Sequence, residues 1–122
     1  MSHPYVNDVA LVGRLSGAVE RKTLPSGDMV LEWRIVVERP PDPRYRKKVV
    51  DTIQCVTYDP QFRDITADWR HGDLIEVRGA IRRRFWRTGG GEPVSRYDVE
   101  VREVDLLAVA PDSAGVAGTG TG

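Results

Sequence analysis

A small all-β barrel carrying one short helix is the fold that the sequence predicts, on three observations. Five stretches alternate apolar and polar residues with a period of two, the pattern of half-buried strands. One stretch between the third and fourth of them has helical spacing instead. Gly13 and Gly17 interrupt the first stretch, where a strand curling around a small barrel has to bend.

The first strand is predicted over residues 8–20, DVALVGRLSGAVE. Val9, Leu11, Gly13 and Leu15 alternate there with Ala10, Val12 and Arg14, so both faces are partly apolar. Leu24-Pro25-Ser26-Gly27 reads as a turn. The second strand, 29–38, sets Leu31, Trp33, Ile35 and Val37 against Glu32, Arg34, Val36 and Glu38; Trp33 is thereby a core residue. Residues 39–48, RPPDPRYRKK, form a loop, because three prolines forbid regular pairing, and five of its ten residues are basic against one acid. The third strand covers 49–58, with Thr52, Gln54, Val56 and Tyr58 on one face. Asp59-Pro60 ends it, and Phe62, Ile65, Ala67 and Trp69 predict a helix over 60–69 that plugs one end of the barrel. After Gly72-Asp73, a fourth strand over 74–86 and a fifth over 95–109 form a hairpin around 88–93. From Ala110 the chain turns rich in Gly, Ala and Thr, which predicts a disordered tail over 110–122 behind a single domain over 1–109. This order describes a five-stranded Greek-key barrel, the OB-fold. An open five-stranded sheet with a helix on one face satisfies the same order, but the glycine placement and the lone helix favour the barrel.

Composition removes several function classes. Lys plus Arg equals Asp plus Glu at 18 each, so electrostatic function has to come from arrangement. No stretch approaches the roughly 18 consecutive apolar residues of a membrane helix, and no signal peptide is evident, which predicts a cytoplasmic, nucleoid-associated protein without a membrane partner. Cys55 is the single cysteine and reads as a small buried side chain; His3 and His71 lie far apart without ligand spacing. No metal and no cofactor are expected. Catalysis is not expected either: there is no nucleophile–base pair, and Gly89-Gly90-Gly91 lacks the lysine and Ser/Thr of a phosphate loop.

The informative stretch is 79–101, GAIRRRFWRTGGGEPVSRYDVEV. Ideal alternation places Ile75, Val77, Gly79 and Ile81 on the core face and Glu76, Arg78, Ala80, Arg82, Arg84 and Trp86 on the other. Guanidinium groups beside an indole suit a single-stranded nucleic acid, whose phosphates take the charge and whose unpaired bases stack on the ring. The candidate contacts are Trp86 and Tyr58 for stacking, and Arg78, Arg82, Arg84, Arg34, Gln54, Arg46, Lys47 and Lys48 for phosphates and polar groups. The plainer reading is that charges on an exposed strand discourage sheet aggregation, and that Tyr58 caps the barrel mouth.

The order of motifs resembles the bacterial single-stranded DNA-binding protein family. The resemblance runs over about residues 7–108 and rests on N-x-V-x-L-V-G-x-L at 7–15, P-S-G at 25–27 and G-D-x-I-x-V-x-G-x-I-R-x-R-x-W at 72–86. It implies an OB-fold that binds single-stranded DNA with little sequence preference, in replication, recombination or repair, as a homo-oligomer, either tetramer or dimer. By position, Trp86 and Tyr58 match the family's aromatics, and Arg82 and Arg84 its R-x-R. Thr52, Pro41 and Ile53 stand where members often carry two tryptophans and a histidine. The acidic tip that recruits replication and repair proteins is not present in AGTGTG, which suggests a divergent, short-tailed paralogue. The alternative is an OB-fold adaptor that binds a protein partner or another ssDNA-binding protein, with weak DNA affinity of its own.

Overall fold

In the computed structural model, which describes residues 4–111, five strands close into a barrel in the order β1-β2-β3-β5-β4. The elements are β1 (Val9–Thr23), β2 (Met29–Glu38), β3 (Val50–Thr57), α1 (Phe62–Ile65), β4 (Leu74–Arg87) and β5 (Pro93–Ala108). Neighbours pair antiparallel except β3 and β5, which meet in parallel at Cys55↔Val99 and Val56↔Glu100. Pairing of β1 with β4 from Val9↔Gly79 to Arg14↔Leu74 completes the closure. This is the OB-fold.

Alternation explains the core. Leu31, Trp33 and Ile35 of β2 point inward with Cys55, Ile75, Val77, Val99 and Val101, joined by Leu15. Phe62 and Trp69 close one end, and Trp69 meets Trp33 edge-on at 5.5 Å. Burial pushes the Cys55 thiol up to about 12, with the charge of Asp98 adding to it, so the side chain is an inert core group.

The first strand bends where its glycines predict. Its register with β2 shifts between Ser16 and Glu20, and Gly17 there has φ 79°, a left-handed conformation that glycine adopts without steric cost. The Gly17 N–H left out of the ladder donates to His71 Nδ1 at 2.9 Å, a partnership the sequence does not announce. β1 then continues to Thr23, three residues past its predicted end.

The helix is shorter than its spacing predicts. Only Phe62–Ile65 are helical; Ala67 and Trp69 donate to carbonyls three residues back, Asp64 and Thr66, in successive tight turns. Thr66 explains the stop, because its hydroxyl also bonds the Phe62 carbonyl and its backbone sits at φ −93°, ψ 0°. The tight turns still deliver Phe62 and Trp69 to the core. Asp73 then binds the chain on both sides, accepting the N–H of Arg70 at 2.8 Å and that of Ala110 at 2.7 Å. Ala110, placed in the tail by composition, is therefore held against the barrel, whereas residues 112–122 of the tail expected over 110–122 lie outside the described residues.

β4 and β5 run beyond the barrel as a two-stranded arm closed by a turn at 88–92, where the Thr88 N–H donates to the Glu92 carbonyl and the Glu92 N–H to the Thr88 hydroxyl. Asn7 fastens the base of the arm: its side chain donates to the Ile81 carbonyl and accepts the Ile81 N–H.

Candidate nucleic-acid interface

Residues directly opposite across a ladder share a face. Arg34 faces Gln54, Glu32 faces Val56, Val56 meets Glu100, and Glu100 faces Ala80. Continuing up the arm, Arg82 faces Asp98, Arg84 faces Arg96 and Trp86 faces Val94. The outer surface of β2 and β3 therefore runs without a break onto one face of the arm. Val30, Glu32, Val56, Ala80 and Asp98 are buried on this outer side, so they form the floor of a groove rather than a convex wall.

The groove holds about 490 Å³ and is lined by Lys22, Glu32, Tyr58, Arg84, Phe85, Trp86 and Arg96. Trp86 is 42% exposed and Tyr58 44%, so both rings offer surface to a ligand. The Arg96 guanidinium lies 5.6 Å from the centre of the Trp86 ring. One wall thus presents an indole with a cation beside it, so that a base can stack on the open part of the ring while the guanidinium meets a phosphate.

Under the rings lies an ion network. Arg84 donates through Nε to Asp98 Oδ2 and through Nη1 to Glu32 Oε2 at 3.3 Å, and Lys22 Nζ reaches Glu32 Oε1 at 3.0 Å. Arg96 Nε lies 3.3 Å from Asp98 Oδ1, out of hydrogen-bonding alignment. Burial of Glu32 works to raise its carboxyl, but Lys22 and Arg84 outweigh burial and hold it below the ordinary 4.5. Burial likewise works to lower Arg84, and the Asp98 and Glu32 carboxylates reverse that and raise it.

The structure thus gathers Trp86, Tyr58, Arg82 and Arg84 at one end of the track and places Arg34 and Gln54 farther along it. The loop cations Arg46, Lys47 and Lys48 lie at the other end, lining a hollow of about 800 Å³ under the β2–β3 loop. From Glu32 to Glu38, where that loop begins, is six residues, roughly 20 Å along the strand. Arg78 does not join the others. An extra residue in β5, Arg102, shifts the register between Arg78↔Glu103 and Gly79↔Val101, and a bulge of this kind bends the ribbon. Arg78 consequently lines a separate depression with Asp8, Ala10 and Glu103, paired to Glu76 at 3.2 Å and to Glu103 at 3.9 Å.

Among the expected phosphate ligands several already hold carboxylates. Arg82 pairs with Glu100 at 3.1 Å and Lys48 with Glu38 at 3.3 Å. These pairs are exposed, contribute about 0–1 kcal/mol, and exchange one anion for another readily. Arg84 differs, because its partner Asp98 is buried. Among the described residues Arg34, Arg46 and Lys47 make no ion pair. Sequence reasoning missed Lys22, Glu32, Arg96 and Asp98; the hairpin register, which sets Arg96 opposite Arg84, was the signal that would have found Arg96.

The model of the single-strand binding protein family matches residues 6–107. Single-stranded DNA-binding protein A of Bacillus subtilis is 29% identical over 115 residues, which span 94% of this chain and 66% of that protein. The single-stranded DNA-binding protein of Halalkalibacterium halodurans is 29% identical over 102 residues, 84% of this chain and 61% of that protein. The chain thus spans about two thirds of the length of these curated relatives. In fold it is similar to the Plasmodium falciparum SSB, solved in complex with ssDNA, at a TM-score of 0.69 and 24% identity, covering 89% of this chain and 99% of that one.

Proposed function

The chain belongs to the single-strand binding protein family, and from that membership we propose that it binds single-stranded DNA with little sequence preference along the outer face of β2, β3 and the β4–β5 arm. The observation that carries this reading is the exposed pair Trp86 and Tyr58 over one groove, with Arg96 against the indole. Bases stack on the two rings. Phosphates meet Arg34, Arg46 and Lys47, which are uncommitted, together with Arg82 and Lys48, which give up exposed carboxylates. The role is non-catalytic: the protein holds the strand in replication, recombination or repair in the cytoplasm. The resemblance to the family supports a homo-oligomeric assembly, which the solution mass tests.

The acid-paired arginines favour a second reading, an adaptor that binds a protein and holds DNA only weakly. Titration of oligo-dT separates the two. For DNA binding, affinity falls with salt with a logarithmic slope near −3.5, from about five phosphates at about −0.7 each. Trp86→Ala weakens binding by about 1–3 kcal/mol, roughly 5- to 150-fold, for every base composition. Absence of any complex at micromolar protein and low salt favours the adaptor, and unchanged affinity in the variant removes Trp86 from the site.

A further inference from the structure

The groove floor carries acid where a polyanion is expected to pass. Glu32 of β2 and Asp98 of β5 grip one guanidinium, Arg84 reaching the first through Nη1 and the second through Nε. Glu32 is 9% exposed and lines the groove together with the rings of Tyr58 and Trp86. Its partners Lys22 and Arg84 occupy only part of the roughly four acceptor positions that a carboxylate offers. Asp98 has no exposed side-chain surface, and its Oδ1 accepts no hydrogen bond although the groove-lining Arg96 stands 3.3 Å away. Burial opposes the ionisation of Glu32, but Lys22 and Arg84 outweigh it, so the group remains a carboxylate that accepts and cannot donate.

We propose that Glu32 reads the pairing edge of the base that stacks over this floor, and favours a base with an exocyclic amino group, cytosine above thymine. The proposal rests on the ssDNA-binding reading above and adds a preference to it at one subsite. Charge decides which part of a nucleotide settles here. A phosphate is repelled by the two carboxylates and goes to the cations farther along the track, Arg34, Arg46 and Lys47. A base edge is neutral and meets no such repulsion. The open acceptor positions of Glu32 then call for a donor, and the N4 amino group of cytosine donates to a carboxylate. The neighbouring acceptors of the same base, N3 and O2, face a cation in Lys22, whose Nζ lies 3.0 Å from Glu32 Oε1. Thymine turns two carbonyl oxygens to this edge with only a ring N–H between them, so it sets oxygen against oxygen.

The test compares binding of the full chain to oligo-dT and to an oligomer of equal length built from 5-methyl-dC, which keeps the ring and methyl group of thymine and changes only the pairing edge. Wild type binds the 5-methyl-dC oligomer about tenfold more tightly, the worth of one hydrogen bond to a charged group. Glu32→Gln loses or reverses that preference, because an amide also donates to a thymine carbonyl. The readout is the ratio of the two affinities, which a general loss of stability or of binding does not move. Equal binding of both oligomers by wild type, or a preference that Glu32→Gln retains, overturns the proposal and leaves stacking on Trp86 and Tyr58 intact. A second arm needs no variant. Dimethylation of N4 throughout the oligomer removes the donor, so wild type loses its preference, and a preference that survives dimethylation overturns the proposal as well. A wild-type chain that binds neither oligomer overturns the ssDNA reading itself, and this proposal with it.

Discussion

Arg84→Ala is expected to destabilise the folded chain by about 3–5 kcal/mol, the cost of leaving a buried charge without its partner. The Asp98 side chain has no exposed surface and Arg84 is 25% exposed, so water does not replace the guanidinium efficiently. Arg96 stands at 3.3 Å from the other Asp98 oxygen but out of alignment, and Glu32 retains only Lys22. Chemical denaturation measures the loss directly. Converting the pair together, Arg84→Leu with Asp98→Leu, recovers most of it, because no lone charge then remains on the groove floor. Stability equal to wild type, combined with lost oligo-dT affinity, would instead make Arg84 a phosphate ligand, the role that its place in the R-x-R pattern suggests.

Gly79→Ala strikes the barrel where β4, β5 and β1 meet. A Cβ at this position would lie 1.9 Å from the Glu100 carbonyl oxygen, 2.8 Å from its carbon and 3.0 Å from the Val101 Cα, all backbone atoms that no rotamer change moves away. The same residue pairs with Val9 of β1 and marks the register shift of β5. The substitution forces the strands apart, at about 3 kcal/mol, the upper end of the usual overpacking cost. Gly89→Ala at the arm tip, where nothing lies within 4 Å of the added carbon, is the matched control and leaves the unfolding free energy unchanged. Equal stability of the two variants would contradict the close approach.

Most of the fold was legible because burial leaves a period-two record. β2 matches its predicted bounds, β3 lies within its own, and the core residues Trp33, Ile75 and Val77 are where alternation puts them. The helix was overestimated because burying Phe62 and Trp69 requires only that both be delivered inward, which tight turns do as well as a helix. The site was legible within each strand and not between strands. Arg82, Arg84 and Trp86 do share a face, but their cross-strand partners depend on the turn. Pairing Arg87 with Pro93 sets Arg84 opposite Arg96; a register one residue longer would set it opposite Tyr97, on the other face. The carboxylates that neutralise Arg82 and Arg84 come from β5 and β2, so a reading along β4 alone counted as free two cations that the fold has paired. Arg78 was misplaced by an extra residue in β5 that β4 does not record.

The chain carries three tryptophans, and only the indole of Trp86 is exposed, which makes it a built-in reporter beside the buried Trp33 and Trp69. The most direct measurement is an NMR titration of the labelled chain with oligo-dT. The groove account predicts that the Trp86 indole N–H and the backbone signals of Tyr58, Arg34 and Gln54 shift together, while the indoles of Trp33 and Trp69 stay in place. Shifts confined to the depression around Arg78, Arg102 and Glu103, or none at saturating DNA, would contradict it.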